Sequence, residues 1–337
     1  MNADKAGAAV KQFKLTWCVV WLLAGLAHAQ APGPASTPPE PPRPAASPAP
    51  KAPNQGPSFR VNVRLVNVFT TVTDAHGSPI ADLSKDDFRV LEDGIPQTIN
   101  VFDRESELPL NIVLAVDTSQ STVRDFKLEV ASARKFARSI MRPVDRLSLF
   151  QVTENVDQVT RGFTADLREI ERAIDHLQIG AGTSLYDAIF LASDVLINRE
   201  GRKVLVLITD GGDTTSKADY NRALKRAQQA EAIVYSIIVV PVEADAGRNT
   251  GGEHALIQIS HDTGGKYFYA ESMAKLDEAF RQVSKELRTQ YLIAYYPNRQ
   301  LADSPFRRIQ VQLNKPGADG KTYQVRHRAG YYTAPAR

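Results

Sequence analysis

The sequence predicts an α/β chain: a doubly wound, mostly parallel six-stranded sheet inserted into a β-sandwich built from the N- and C-terminal flanks. Three observations predict it. Ile112–Val116 and the core of Lys203–Thr209 (KVLVLIT) are continuous apolar runs, as in strands buried on both faces of a parallel sheet. From Leu108 to about Arg288, strand-like and helix-like patterns alternate. The segments on either side carry β patterning, and each is too small to cover its own sheet face. Two separate small β modules are the alternative to one joint sandwich.

In order, residues 1–29 read as an export signal. Lys5, Lys11 and Lys14 supply positive charge, Leu15–Leu26 is apolar, and Ala27-His28-Ala29 has small outer residues, as a cleavage site does. The apolar run is shorter than the ~20 residues of a membrane span. An uncleaved anchor is the alternative, and membrane contact is expected only through it. The expected location is the periplasm, the cell envelope or the exterior. Cys18, the sole cysteine, lies inside the signal, so the mature chain is expected to have no disulfide. Residues 30–58 are rich in Pro, Ala and Ser and read as an extended tether, a spacer or a plain disordered leader.

Residues 59–107 form the first β segment. Val61, Val63 and Leu65 alternate with polar residues, and the pattern runs through Val68 and Val72. Phe88–Leu91 and Thr98–Phe102 follow as short strands. Residues 108–289 form the α/β domain. Its further strands are Leu147–Val152, Val156–Phe163, Ile233–Val240 and Lys266–Tyr269. Its helices are Val123–Met141, Asp166–Leu177, Leu185–Asn198, Ala218–Glu231, Glu253–Thr263 and Ala274–Thr289; in the last, Leu276, Phe280, Val283 and Leu287 share one face. Residues 290–337 return to β, with strand-like runs at Tyr291–Tyr296, Arg308–Leu313 and Tyr323–Arg328.

The first apolar run stops at Asp117, and Ser119 and Ser121 follow at alternate positions. A carboxylate and two hydroxyls on one loop are hard oxygen ligands, suited to magnesium, calcium or manganese rather than zinc. Taken singly, Asp117 and Asp210 read equally as caps of helices and turns.

Together, Asp117-Thr118-Ser119-Gln120-Ser121, Thr183 in the Gly-rich loop Gly180–Ser184, and Asp210 in Thr209-Asp210-Gly211 resemble the metal-ion-dependent adhesion site of the von Willebrand factor type A family. The resemblance covers roughly Leu108–Arg288, and the flanking β segments resemble those of secreted bacterial proteins carrying this domain. It implies a strand order 3-2-1-4-5-6 with the site at its switch point. It also implies a divalent cation, foremost Mg²⁺ with Ca²⁺ or Mn²⁺ possible. Ser119, Ser121 and Thr183 would be direct ligands, Asp117 and Asp210 would act through water, and one position would stay open for an acidic group. Family members often carry Gly where this chain has Gln120, so Gln120 is expected to narrow access or touch a partner. Asp213 lies three residues beyond Asp210 and is expected to place a further carboxylate there for partner binding, with a solvated turn residue as the alternative.

The expected function is capture of a protein offering an acidic side chain. A structural scaffold stabilised by the cation and a metal-dependent hydrolase are the alternatives. The hydrolase lacks support: there is no Gly-x-Ser-x-Gly elbow and no phosphate loop, and His176, His254 and His261 scatter over predicted helices. A net charge of +3 without a long basic cluster argues against nucleic acid.

Overall fold

The two central apolar runs become neighbouring strands of one sheet. The computed structural model describes residues 65–104, 108–119, 126–240, 250–298, 305–314 and 322–333. The export signal, the tether, Gln120 and Ser121 lie outside them. The first flank supplies β1 (Val66–Thr73), β2 (Phe88–Glu92), β3 (Ile95–Gln97) and β4 (Ile99–Arg104). The α/β part runs β5 (Leu110–Asp117), α1 (Phe126–Ile140), β6 (Arg146–Val152), β7 (Val156–Gln158), α2 (Leu167–Asp175), α3 (Leu185–Ile197) and β8 (Arg202–Thr209). It continues with α4 (Tyr220–Ala230), β9 (Ile233–Val239), α5 (Thr250–Asp262), β10 (Tyr267–Ala270) and α6 (Met273–Thr289). The second flank supplies β11 (Tyr291–Tyr295), β12 (Phe306–Leu313), β13 (Gln324–Arg326) and β14 (Gly330–Tyr332).

The α/β sheet has the order β10-β9-β8-β5-β6-β7. All neighbours are parallel except β6 and β7. Read from β5, this is the order the family resemblance implies. Every residue of β5 is buried, and the strand's two-residue period divides it between two cores. Ile112, Leu114 and Val116 pack with α1, α2 and α6, while Val113 and Ala115 pack with α3, α4 and α5. That is why the run carries no polar alternation. The chain leaves β5 toward β6 and leaves β8 toward β9, so their carboxyl ends flank a switch point, where open α/β sheets place ligands.

The flanks interleave. One sheet has the order β13-β1-β11-β4 and the other β14-β12-β2-β3, so each takes strands from both ends of the chain. A common core joins Val66, Val68, Phe88 and Val90 to Tyr291, Ile293, Ile309 and Val311. At its centre Arg307 Nη1 lies 2.6 Å from Glu92 Oε1. Tyr295 and Tyr331 both donate their hydroxyls to Glu92 Oε2, at 2.8 and 2.9 Å. One carboxylate of the first flank thus binds three groups of the second. Burial and the adjacent Glu92 push both tyrosine hydroxyls above their ordinary pKa.

α6 joins the two parts directly, since β11 begins two residues after it ends. Its last turn is tied down from three sides. Arg288 Nη2 donates to Asp145 Oδ2 at 2.6 Å, Arg202 Nη1 donates to the Leu287 carbonyl, and Arg326 Nη2 lies 2.7 Å from Glu286 Oε2.

Candidate metal centre

Three loops meet at the carboxyl end of the sheet, and backbone and side-chain hydrogen bonds close them into a ring. The loop after β5 joins the α2–α3 loop. The Gly180 N–H donates to the Thr118 carbonyl at 2.9 Å, the Thr118 hydroxyl donates to the Gln178 carbonyl at 2.7 Å, and Ser119 and Gly180 form an isolated parallel bridge. The α2–α3 loop joins the loop after β8. The Thr183 N–H donates to Thr214 Oγ1 at 2.9 Å, and the Thr214 N–H returns to the Thr183 carbonyl at 2.8 Å. The end of β8, from which the third loop departs, joins the end of β5, because the Thr209 hydroxyl donates to Asp117 Oδ2 at 2.7 Å. Asp117, Ser119, Thr183 and Asp210 are therefore carried by three mutually bonded loops.

Local sequence explains the tightness. A Cβ on Gly180 would sit 2.5 Å from the Thr153 side chain, so only glycine lets this loop lie against the β6–β7 turn. Gly211 has φ +88°, a backbone state glycine adopts without strain, and its N–H donates to Thr209 Oγ1 at 3.0 Å. The exposed Glu154 accepts from the Ala181 N–H at 2.9 Å, and these loop amides hold its carboxyl below the usual range.

Asp117 is 1% exposed. Its Oδ1 accepts from the Ser119 N–H at 3.1 Å. Burial foremost, with the charge of half-buried Asp210 beside it, pushes the Asp117 carboxyl up to about 6 against the hydrogen bonds that lower it. Asp210 Oδ1 accepts from the Gly212 N–H at 3.0 Å. Among the described residues neither aspartate forms an ion pair with Lys, Arg or His, and no three of His, Cys, Asp and Glu gather anywhere. The arrangement offers oxygen donors only and surplus negative charge.

Asp213 points its Oδ1 to the start of α3, accepting from the Leu185 N–H at 2.8 Å and from the Ser216 hydroxyl. This capping role spans 28 residues and has no sequence signature. Thr209, Thr214 and Glu154 were likewise not marked by sequence reasoning. Thr209 had the one available signal, its place directly before Asp210. Ser121 and Gln120 lie outside the described residues.

The family model for the von Willebrand factor type A domain matches residues 111–282, just over half of the chain. Solved structures similar to the chain include a von Willebrand factor type A protein from Catenulispora acidiphila. It has 14% identity and TM-score 0.48, covering 80% of this chain and 75% of that one. A second is the vWF domain of the type V pili tip protein Mfa5 from Porphyromonas gingivalis, with 14% identity, TM-score 0.45 and coverage of 53% and 94%. A third is the conserved hypothetical protein BatB from Bacteroides thetaiotaomicron, with 16% identity, TM-score 0.44 and coverage of 53% and 100%. The comparison with curated proteins finds no match.

Proposed function

Because the chain belongs to the von Willebrand factor type A domain family, we propose that it is an exported protein-binding module that grips an acidic group of a partner protein through a divalent cation. Asp117, Ser119, Ser121, Thr183 and Asp210 would hold the cation, with Mg²⁺ the foremost occupant. The observation that carries this reading is the ring of three bonded loops around a buried, uncompensated Asp117. Hydroxyl and carboxylate oxygens suit a hard cation. When bound, such an ion supplies net positive charge with a coordination position open to an outside carboxylate.

The chain's own residues do the positioning. Thr209 fixes Oδ2 of Asp117, and the Ser119 N–H fixes Oδ1. The Thr183–Thr214 pair locks the Gly-rich loop to the loop after β8. The reading is non-enzymic. Metal-assisted hydrolysis commonly draws on a positioned general base to move the proton. Of the candidate histidines, His176 bonds the Arg172 carbonyl and His261 bonds Asp262, both on helices.

The test is capture by the immobilised full chain from its native envelope extract in Mg²⁺ and in EDTA. The expected result is a protein retained in Mg²⁺ and released by EDTA, and not retained by Thr183→Ala. Capture that persists in EDTA would favour the scaffold role instead.

A further inference from the structure

Helix α2 carries two differently treated charged faces. Glu171 and Asp175, one turn apart, face α1 and are bonded by Arg138 and Arg134. Arg168, Arg172 and His176 follow the same i, i+4 spacing on another face. Arg172 Nε donates to the Arg168 carbonyl at 3.2 Å and His176 Nδ1 bonds the Arg172 carbonyl, so the three are stacked along one line. Across from them is Arg161, in the turn after β7. Arg161, Arg172 and His176 line an open groove of about 630 Å³, with Val159 and Ala173 as apolar floor and Glu169 as its one carboxylate. Among the described residues, none of Arg161, Arg168, Arg172 and His176 has an acidic partner, whereas the α1-facing carboxylates of the same helix both do.

Both walls of this groove lead to the candidate centre. α2 rises from Arg168 to His176, on the order of 12 Å at its 1.5 Å per residue. Two residues later, the Gln178 carbonyl accepts from Thr118 Oγ1, next to Ser119. The other wall, Val159–Arg161, follows β7, which itself starts beside the Thr153–Glu154 turn that anchors Ser184 and Ala181. β7 is the edge of the sheet, pairing with β6 alone.

We propose that this groove seats an acidic, extended segment of the partner protein, rich in Asp and Glu. One carboxylate would go to the cation, and others to Arg172 and Arg161. The upper end of this track rests on the cation reading; the guanidinium contacts do not. Guanidinium pairs with carboxylate in a fork, with geometric as well as electrostatic preference. β7, which leads into the second wall, is an edge strand, where an extended peptide can add a strand by main-chain pairing and a polysaccharide or lipid headgroup cannot. Glu169 inside the groove disfavours a uniformly anionic polymer, whereas a peptide can place a neutral or basic residue opposite it.

The experiment titrates full chain with a labelled peptide of mixed Asp, Glu and apolar residues, in EDTA and in Mg²⁺, at 50 mM and 300 mM salt. Arg161→Glu/Arg172→Glu is compared with wild type, and Arg161→Gln/Arg172→Gln serves as a milder second variant. Both changes are on exposed side chains, and matched melting curves check the fold. The expected result is salt-sensitive binding already present in EDTA, weakened roughly tenfold by charge reversal and less by the Gln pair. Unchanged binding by the reversed variant would overturn the proposal, as would capture of anionic vesicles or heparin in preference to the peptide. The two readings fail separately. If the cation reading alone fails, Mg²⁺ adds nothing while the Arg dependence stays. If the groove alone fails, Mg²⁺ still strengthens binding and the Arg variants behave as wild type.

Discussion

Asp117→Asn is expected to make the cation-free protein more stable at pH 7, and at the same time to remove its response to Mg²⁺. Burial and Asp210 raise the Asp117 carboxyl to about 6. Against an ordinary value of 3.8, keeping it ionised at neutral pH costs about 3 kcal/mol. The sign follows from proton linkage. Between about 4 and about 6 the native state holds the proton more tightly than the unfolded chain. This contribution to stability is therefore full below about 4 and is lost as pH rises through about 6. Asn carries no charge but cannot accept from both Ser119 and Thr209 without turning its amide toward one donor, so the net gain is about 1–2 kcal/mol. Wild type should instead gain about 2.7 kcal/mol from Mg²⁺ at a hundredfold excess over Kd, and the variant none. Denaturant unfolding from pH 4 to 7.5, with and without Mg²⁺, reads both effects. A variant less stable than wild type in EDTA at pH 7, or still stabilised by Mg²⁺, would contradict the account.

Glu92→Ala is expected to be the most destabilising single change in the flanks. The Glu92–Arg307 pair is 2% exposed on both sides. Truncation removes the Glu92 carboxylate that pairs with buried Arg307 and accepts the Tyr295 and Tyr331 hydroxyls. Losing one partner of a buried pair costs about 3–5 kcal/mol. Because β2 brings the carboxylate and β11, β12 and β14 bring the other three groups, the loss weakens a buried tie between the two flanks. Glu92→Gln keeps an acceptor and should fall between the two. A loss under about 1 kcal/mol for Glu92→Ala would show that strand pairing and apolar packing join the flanks without this carboxylate.

Much of this was legible because the decisive elements bury both faces. β5 and β8 read as apolar runs since each faces two cores, and their terminal carboxylates mark where the runs meet solvent. What stayed hidden was short or distant. β3 and β14 have three residues each, too few for a period to show, and β14 is held by pairing to β12 rather than by its own pattern. The strand expected over Val156–Phe163 ends at Gln158: beyond it the Leu149 N–H goes to the Thr160 hydroxyl instead of a backbone carbonyl, and regular pairing returns only at the Leu147–Thr164 bridge. α5 begins at Thr250 rather than Glu253; Glu253 is buried where Tyr269 donates its hydroxyl to it, which holds the first turn in place. The Asp213 cap and the Glu92 cluster join residues far apart in the chain, and no local pattern announces a partner 28 or 215 positions away. At the site, sequence supplied the ligand types, while Thr209, Thr214 and Gly180, which hold the loops together, became visible only in three dimensions.

The central claim is that oxygens from three separate loops share one cation. Calorimetric titration of Mn²⁺ or Mg²⁺ into the full chain, beside Asp117→Ala and Thr183→Ala, tests it most directly. One saturable site per chain in wild type, absent from both variants, is the predicted result. Equal heats from all three proteins would contradict it.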